Sequence, residues 1–448
     1  MDGGVCRKVV FAADVLLSID LRWGEFRKRR LRADLFHDAV GFGPNNVILR
    51  IGPNREQLGL EPFHGLCDIS IINQQQGVAM HLSQALAQPK PTRTSAAKFK
   101  YIDLFAGIGG VRIPFDELGG ECVFSSEWDR FAQDTYEANF GHRPDGDITK
   151  IPSKSIPAHD LLLGGFPCQA FSLAGLKKGF LDTRGTMFFE IQRILAEHRP
   201  AMFLLENVKQ LRGHDGGRTL ETIKRILEGD ADINVPDDIP MSLEARKSLS
   251  IKLDYCVGTH VIKATEFGVP QNRERVYIVG FDRNRFGEID FPAFFASLKG
   301  RETSTKLDDA LEPESSNHVH RYTISDKLWD GLQRRMARHE AKGNGFGHRV
   351  FTRDEPACNT ITSRYYKDGR EVLVDQSSNG LNPRRLTPRE CARIQGFPEW
   401  FDLSAASDTQ LYKQFGNSVS VPVIRAIAGA MVRYWDVVTQ TERDLAIG

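Results

Sequence analysis

KYIDLFAGIGGVRIPFDELGGE, residues 100–121, reads as an apolar strand, a glycine-rich turn and an amphipathic helix in direct succession. The turn lies at Gly107, Gly109 and Gly110, and the helix carries Val111, Phe115 and Leu118 on one side. Strand, glycine turn and helix make the first unit of a doubly wound α/β sheet, where missing side chains let a cofactor approach the backbone. Such a GxGG alone serves a dinucleotide, a nucleoside or tight packing equally well. The next strand, CVFSSEWD, ends at Glu127, about 20 residues on, where an acid accepts from both ribose hydroxyls. Trp128 beside it offers a face for an adenine, and Asp147 in GDIT, read as a third strand-end acid, accepts from an exocyclic amine. Each acid taken singly is equally a helix N-cap or turn residue. Three after successive strands point to a nucleoside cofactor.

Working outward, GGFPCQAFSLAG (164–175) follows the short apolar run Leu161 to Leu163. Gly164 and Gly165 mark a sharp exit from that strand, and Pro167 stiffens the chain just before Cys168. A thiol is thereby held at the carboxyl end of a strand, where open α/β sheets place ligands and where a thiolate needs only modest activation to act as a nucleophile. The bland reading is a small buried core cysteine. AMFLLENVKQL (201–211), a strand expected beside that of Cys168, ends in Glu206 and Asn207. A carboxylate after five buried positions is costly unless it is hydrogen-bonded, capping or functional. GVPQNRER (268–275) is a polar knot between two strands, carrying Gln271, Arg273 and Arg275 at a strand entrance suited to an anion or a carbonyl.

The bulk numbers place these units in an ordinary globular chain. Its 448 residues exceed one small core, and 41% hydrophobic with 26% charged residues is the usual balance. Seven cysteines without CxxC spacing argue against a disulfide scaffold or a metal site and for a reducing, cytoplasmic setting. No apolar run approaches the ~18 residues of a membrane span. The net charge of +1 neither demands nor excludes nucleic acid.

The flanks are less regular. Residues 1–97 hold a basic run, Arg22 to Arg32, a short helical pattern around Met80 to Ala87 and a linker-like stretch at 88–97, and receive no fold. Residues 228–250 look like an insertion. From 283 to 383 strand and helix stop alternating: one helix is expected over Ser325 to Ala341, followed by glycine-rich KGNGFG (342–347), and Arg349, Arg364, Tyr365, Tyr366 and Lys367 mix cations with aromatics. That composition reads as a smaller irregular domain with a basic face. RRLTPRECARIQGFP (384–398) supplies a helix capped at Thr387 or an adjacent residue, with Pro388 first in the helix, and QFGNSVSVPVIRAIAGAMV (414–432) a turn and a closing helix.

In order and spacing, DLFAGIGG, SEWD, GDIT, GGFPCQAFS, ENV, QNRER, RRLTPRECARIQGFP and QFGNSVSVPV closely resemble the motifs of the DNA cytosine-5 methyltransferases over roughly residues 98–435. The resemblance implies a Rossmann-like, S-adenosylmethionine-dependent methyltransferase domain in two parts, 98–282 and 384–448. A target-recognition domain, 283–383, lies between them, and an N-terminal extension, 1–97, precedes them. It assigns cofactor contacts to Phe105, Ala106, Gly107, Gly109, Gly110, Glu127, Trp128, Asp147, Ile148, Pro167, Asn417 and Ser418. Catalysis falls to Cys168, Glu206, Arg273 and Arg275, and DNA contact to Gln169, Ser172, Arg184, Gln271, Thr360 and Arg364. Carbon 5 of cytosine is a poor nucleophile, so a thiolate must first add to carbon 6, with the base flipped out of the duplex.

KGNGFG, TSRYYKDGREVLVD and NPRRLTPREC are most similar to bacterial restriction-modification and Dcm-type enzymes. That likeness implies double-stranded DNA as partner, a cognate restriction endonuclease acting on the same site without a stable complex, a monomer, and a short GC-rich palindromic site, CCWGG among the candidates. A transfer-RNA cytosine methyltransferase on the same scaffold is the alternative, opposed by the size of the recognition region. A non-catalytic DNA-binding relative is another, which would be expected to have lost Cys168, Glu206 or the glycine turn.

Overall fold

The computed structural model describes residues 96–166, 187–230, 235, 241–300, 305–343, 345 and 347–447, together with the backbone of six strands ahead of residue 96. The chain divides into two units, Met1–Gln88 and Pro89–Gly448. In the first, Cys6–Ala12, Val15–Leu21, Ile69–Asn73 and Val78–His81 form an antiparallel sheet, and Val40–Gly43 pairs with Asn46–Leu49. The helix expected around Met80 to Ala87 is corrected at its start: Met80 pairs with Ile71 in a strand, and cross-strand pairing to a β-branched partner overrides local helix preference. The remainder of that stretch and the Arg22 to Arg32 run lie outside the described residues.

The second unit is built on a six-stranded sheet. Its strands are β1 (Phe99–Leu104), β2 (Gly120–Ser126), β3 (Leu161–Gly165), β4 (Met202–Val208), β5 (Tyr255–Lys263) and β6 (Glu274–Asp282), in the spatial order β5-β6-β4-β3-β1-β2. β2, β1, β3 and β4 are mutually parallel, and β6 runs antiparallel to both β4 and β5. Alternate residues of one strand feed opposite faces. Ile102, Leu104, Leu162, Phe203 and Leu205 pack with Phe188, Ile191 and Leu195 on one side, while Phe99, Tyr101, Leu161, Leu163, Met202 and Leu204 pack on the other. A sheet buried on both faces reads as continuous apolar runs, which is why LLL and MFLL carry no polar alternation.

Helix α1 (Arg112–Glu117) joins β1 to β2; α2 (Arg130–Phe140) follows β2, capped by Asp129 accepting from the N–H groups of Phe131 and Ala132; and α3 (Met187–His198) precedes β4. The chain thus leaves β1 for β2 on one side and returns to β3 on the other. The carboxyl ends of β1 and β3 therefore flank the switch point at which doubly wound sheets bind ligands. The expected α/β architecture is the observed one.

From 283 to 383 the chain leaves the sheet. One longer helix, α4 (Asp326–Glu340), capped by Ser325, packs through Leu328, Trp329 and Leu332 against Leu373 and Val350. The short strands Val350–Phe351, Leu373–Val374 and Arg384–Arg385 form a three-stranded sheet, and Cys358–Asn359 runs parallel to Gln271–Asn272 beside β6. The chain then returns. Helix α5 (Pro388–Arg393) begins with a capping box between Thr387 and Glu390, α6 (Asp408–Asn417) leads into the GNSV turn, and α7 (Val421–Ile447) lies on the second face of the main sheet through Val423, Ile424, Ile427 and Met431. Among the described residues no single helix is long and apolar enough to cross a membrane; the bent pair α6–α7 is apolar because Val421, Ile424 and Ile427 are core.

Arg384 and Glu390 form a buried ion pair with two bonds of 2.8 Å, and the carboxylate also accepts from the main-chain N–H groups of Thr387 and Glu312. Removing the cation leaves a fully desolvated charge. Arg384→Met should therefore lower unfolding free energy by about 3–5 kcal/mol, whereas Arg425→Gln, breaking the half-exposed pair with Glu117, should cost under about 1 kcal/mol. Chemical denaturation of both variants checks the contrast.

Candidate active site

At the carboxyl end of β1 the backbone takes a left-handed path that side chains resist. Phe105 and Gly107 both have φ of 55° and Gly109 has φ of 81°. A non-glycine residue in that region is held there by its surroundings, as at many ligand sites. The clamp is Glu127 at the end of β2: one carboxylate oxygen accepts from Gly107 N–H at 2.9 Å and the other from Asp129 N–H at 2.8 Å. Burial raises the Glu127 carboxyl above its ordinary value, opposed by those two N–H donors. A Cβ at Gly107 would meet nothing within 4 Å, so the turn opens onto free space. Next to it the Trp128 ring is 78% exposed, which for so large an apolar face is a ligand surface in waiting. An acid, a bare aromatic face and an open glycine turn fit the ribose, base and tail of an adenosyl cofactor.

Asp147 differs from the expectation of a strand-end acid. It caps the short helical turn Ile148–Lys150, accepting from Thr149 N–H at 3.1 Å and Thr149 Oγ1 at 2.8 Å, because the chain after β2 makes only a single bridge, Ser126 to Asp145. Burial pushes its carboxyl up, but the Thr149 hydrogen bonds and Lys150 outweigh it and the net shift is downward. Ile148 next to it is buried in the core.

The second half of the site stands at the ends of β3 and β4. Their parallel register sets Glu206 opposite Gly165, and a Cβ at Gly165 would lie 3.7 Å from Glu206 Oε2. Arg275 Nε is 3.0 Å from Glu206 Oε1, so the two form a largely buried ion pair. Burial raises the Glu206 carboxyl above its ordinary value, and Arg275 and Arg273 pull it back. Asn207, 1% exposed, donates from Nδ2 to Phe166 C=O at 2.9 Å and so pins the chain just before Pro167. Pro167, Cys168, Gln169, Ser172 and Arg184 lie outside the described residues.

Arg273 and Gln271 do not present themselves to a substrate. Arg273 is 2% exposed, and its terminal nitrogens donate to the carbonyls of Ile361, Gly416 and Ser418. Burial lowers its pKa to about 9, with Arg275 adding repulsion and Glu206 opposing. The catalytic contact expected of Arg273 is thus corrected to a strut between β6, the recognition region and the GNSV turn. Gln271, expected at DNA, is 1% exposed and donates to Ile394 C=O at 3.3 Å, because its strand pairs inward with Cys358.

The GNSV turn closes on the glycine turn: a Cβ at Gly110 would meet Ser418 Oγ at 2.8 Å, while Asn417 is exposed. Thr360 hydroxyl donates to Asn272 C=O, and Arg364 is exposed at the start of a short helix, Tyr365–Asp368. A Cβ at Gly416 would strike the main chain of Thr362 and Ser363 at 2.2–2.4 Å, so that segment rests directly on the end of α6.

Two groups escaped the sequence reading. Asp103, inside β1, is 1% exposed with both oxygens unpartnered; burial pushes its carboxyl up to about 7, against Arg112 and helped by Asp116 and Glu127. An acid within the strand KYIDLF was the available signal. Arg193 on α3 donates to the carbonyls of Ile148 and Ile151 at 2.7 and 2.8 Å and pairs with Glu190 and Glu244. It reads in sequence as an ordinary helix cation.

A family model described as C-5 cytosine-specific DNA methylase matches residues 99–230 and 243–433. The Type II methyltransferase M.DsaV of Dactylococcopsis salina is 53% identical over 345 residues, 77% of this chain and 88% of that protein. The DNA-cytosine methyltransferase of Escherichia coli K12 is 39% identical over 403 residues, covering 78% and 80%. The crystal structure of S. pombe Dnmt2 methyltransferase shares the fold at a TM-score of 0.57 and 19% identity, over 74% of this chain and 98% of that one.

Asp103 generates a pH test. Its proton is held by the folded chain and released by the unfolded one between pH 3.8 and about 7. The stability it contributes is complete below that window and lost as pH rises through about 7. The difference in Tm between wild type and Asp103→Asn should shrink or invert from pH 4 to 7 and stay flat above; a constant difference would show an ionised Asp103 in the folded protein.

Proposed function

Because the chain belongs to the C-5 cytosine-specific DNA methylase family, and so methylates carbon 5 of cytosine in DNA with S-adenosylmethionine, we propose that it divides this chemistry among the residues that the ends of β1 to β4 bring together. The observation that carries the assignment is the register of β3 and β4. Phe166 is pinned by Asn207, Glu206 faces Gly165, and Arg275 stands beside Glu206. Cys168 follows Phe166 by two residues, a reach of at most about 7 Å.

S-adenosylmethionine supplies an electrophilic sulfonium methyl. Glu127 would accept from its ribose hydroxyls, Trp128 would stack on its adenine, Asp147 and Ile148 would border the base, and Phe105 to Gly110, Pro167, Asn417 and Ser418 would enclose the remainder. The Cys168 thiolate adds to carbon 6 of a flipped-out cytosine, giving carbon 5 enamine character. Glu206, its carboxyl raised above the ordinary value by burial, would hold ring nitrogen 3 and the exocyclic amine, stabilising charge as it develops. Arg275 holds the ring carbonyl and keeps Glu206 in place, and Arg273 braces both from behind. Loss of the carbon 5 proton to a base then expels Cys168.

Gln169, Ser172 and Arg184 belong to the segment that would close over the flipped base. Residues 283–383 read the flanking sequence, with Thr360 and Arg364 nearest the site. M.DsaV, by its name, is a Type II methyltransferase; likeness to it supports a role protecting a short DNA site against a cognate endonuclease.

Cys168→Ser should abolish methyl transfer while S-adenosylmethionine still binds, and wild type should form a denaturant-resistant adduct with DNA carrying 5-fluorocytosine, since fluorine cannot leave as a proton. Turnover by the serine variant would remove Cys168 from the mechanism. Glu127→Ala should weaken S-adenosylmethionine binding about tenfold or more by calorimetry, at ~1.5–3 kcal/mol for each charged hydrogen bond lost, and DNA binding much less. Bisulfite sequencing of DNA from expressing cells reports the site.

A further inference from the structure

α4 separates its charges. Lys327, Arg334, Arg335 and Arg338, with Lys342 just past the C-cap Ala341, are exposed and fall within an arc of about 100° at 3.6 residues per turn. Leu328, Trp329 and Leu332 face the core, and Asp326, Asp330 and Glu340 occupy the remaining flank. Among the described residues none of the five cations has a carboxylate at ion-pair distance. By contrast, Arg321 pairs with Asp408 at 3.2 Å, Arg349 with Glu355 at 3.0 Å and Arg384 with Glu390 at 2.8 Å. Like charges four residues apart, as Arg334, Arg338 and Lys342 are, weaken a helix. So does Gly331 in mid-helix, which lies inside the same arc and whose absent Cβ would meet nothing within 4 Å. Packing therefore does not require the glycine, and a bare backbone spot amid unpaired cations suits close approach by a polyanion.

We infer that this face of α4 tracks the phosphates of the substrate duplex, setting affinity and register without reading bases. The inference rests on the reading of 283–383 as the DNA-recognition region and adds to it a surface with a separate task. From Lys327 to Lys342 the stripe spans about 22 Å, enough to follow one strand past several phosphates. Phosphate contacts position a protein and carry no sequence information directly, so the stripe and the Thr360–Arg364 segment should fail differently.

The test is equilibrium binding of the full chain to two labelled duplexes, one with the methylated site and one without, from about 50 to 200 mM salt. The variant Arg334→Gln, Arg335→Gln, Arg338→Gln should weaken binding to both duplexes by the same factor and reduce the slope of log K against log salt by roughly 2 to 3, at ~0.9 per phosphate contact. The same positions changed to Lys should recover most of the slope, because charge alone is needed. Gly331→Leu should lower affinity for both duplexes at unchanged slope, and Glu340→Gln should do neither. A triple glutamine variant with wild-type slope overturns the proposal, as does a loss confined to the duplex bearing the site. A wild type that methylates no DNA would instead remove the underlying reading, whatever the slope.

Discussion

The parallel pairing of β3 with β4 is the constraint on which the site depends. It fixes Gly165 against Glu206 and, one residue on, lets Asn207 capture Phe166 C=O. A shift of that register by one residue would turn Glu206 to the opposite face of a sheet buried on both sides, where a carboxylate has no partner. Leu161 to Leu163 and Met202 to Leu205 are almost entirely inaccessible to solvent, so the alternative registers cost both apolar burial and a stranded charge. The strand sequences LLLGG and MFLLENV thus encode catalytic geometry as much as core.

The second requirement is closure from far along the chain. The GNSV turn lies against Gly110, and α7 then covers the face of the sheet that α3 does not. Trp435 Nε1 reaches Lys98 C=O at 3.3 Å, joining the last helix to the entrance of β1. The six-stranded sheet is therefore covered on its second face only after the chain over 283–383 has been threaded out and back. Glu390 expresses the same coupling, since its carboxylate is shared among Arg384, Thr387 and Glu312.

What was legible in the sequence is what local chemistry dictates. A glycine turn after an apolar strand, an acid at the following strand end, a helix capped at Thr387 with Pro388 first, and a helix expected over Ser325 to Ala341 and found over Asp326–Glu340 each follow from a few neighbouring residues. What was misread depends on partners far away. Arg273 looks like a substrate cation until Ile361, Gly416 and Ser418 bring their carbonyls to it across roughly a hundred residues of chain or more. Gln271 looks polar and exposed until Cys358 pairs beside it. Asp147 in GDIT reads as a third strand-end acid, yet without a strand to pair with it the chain turns and the acid caps. Met80 shows the same rule in the N-terminal unit, where a partner strand decides between helix and sheet.

Arg273 also ties distant segments of the chain together. Its guanidinium bridges Ile361, in the segment that carries Thr360 and Arg364, to Gly416 and Ser418 in the turn beside the cofactor loop, while its neighbour Arg275 pairs with Glu206. A buried cation bonded to main-chain carbonyls on three segments resists movement of any one of them, because leaving one carbonyl unpaired in that interior costs about 1–3 kcal/mol. Gly416 tightens the same joint, its main chain in direct contact with Thr362 and Ser363. A displacement of the 361–363 segment must then pass into the turn against Gly110 or into the strand holding Arg275, and a cation of this kind is needed because no neutral side chain donates to so many carbonyls at once.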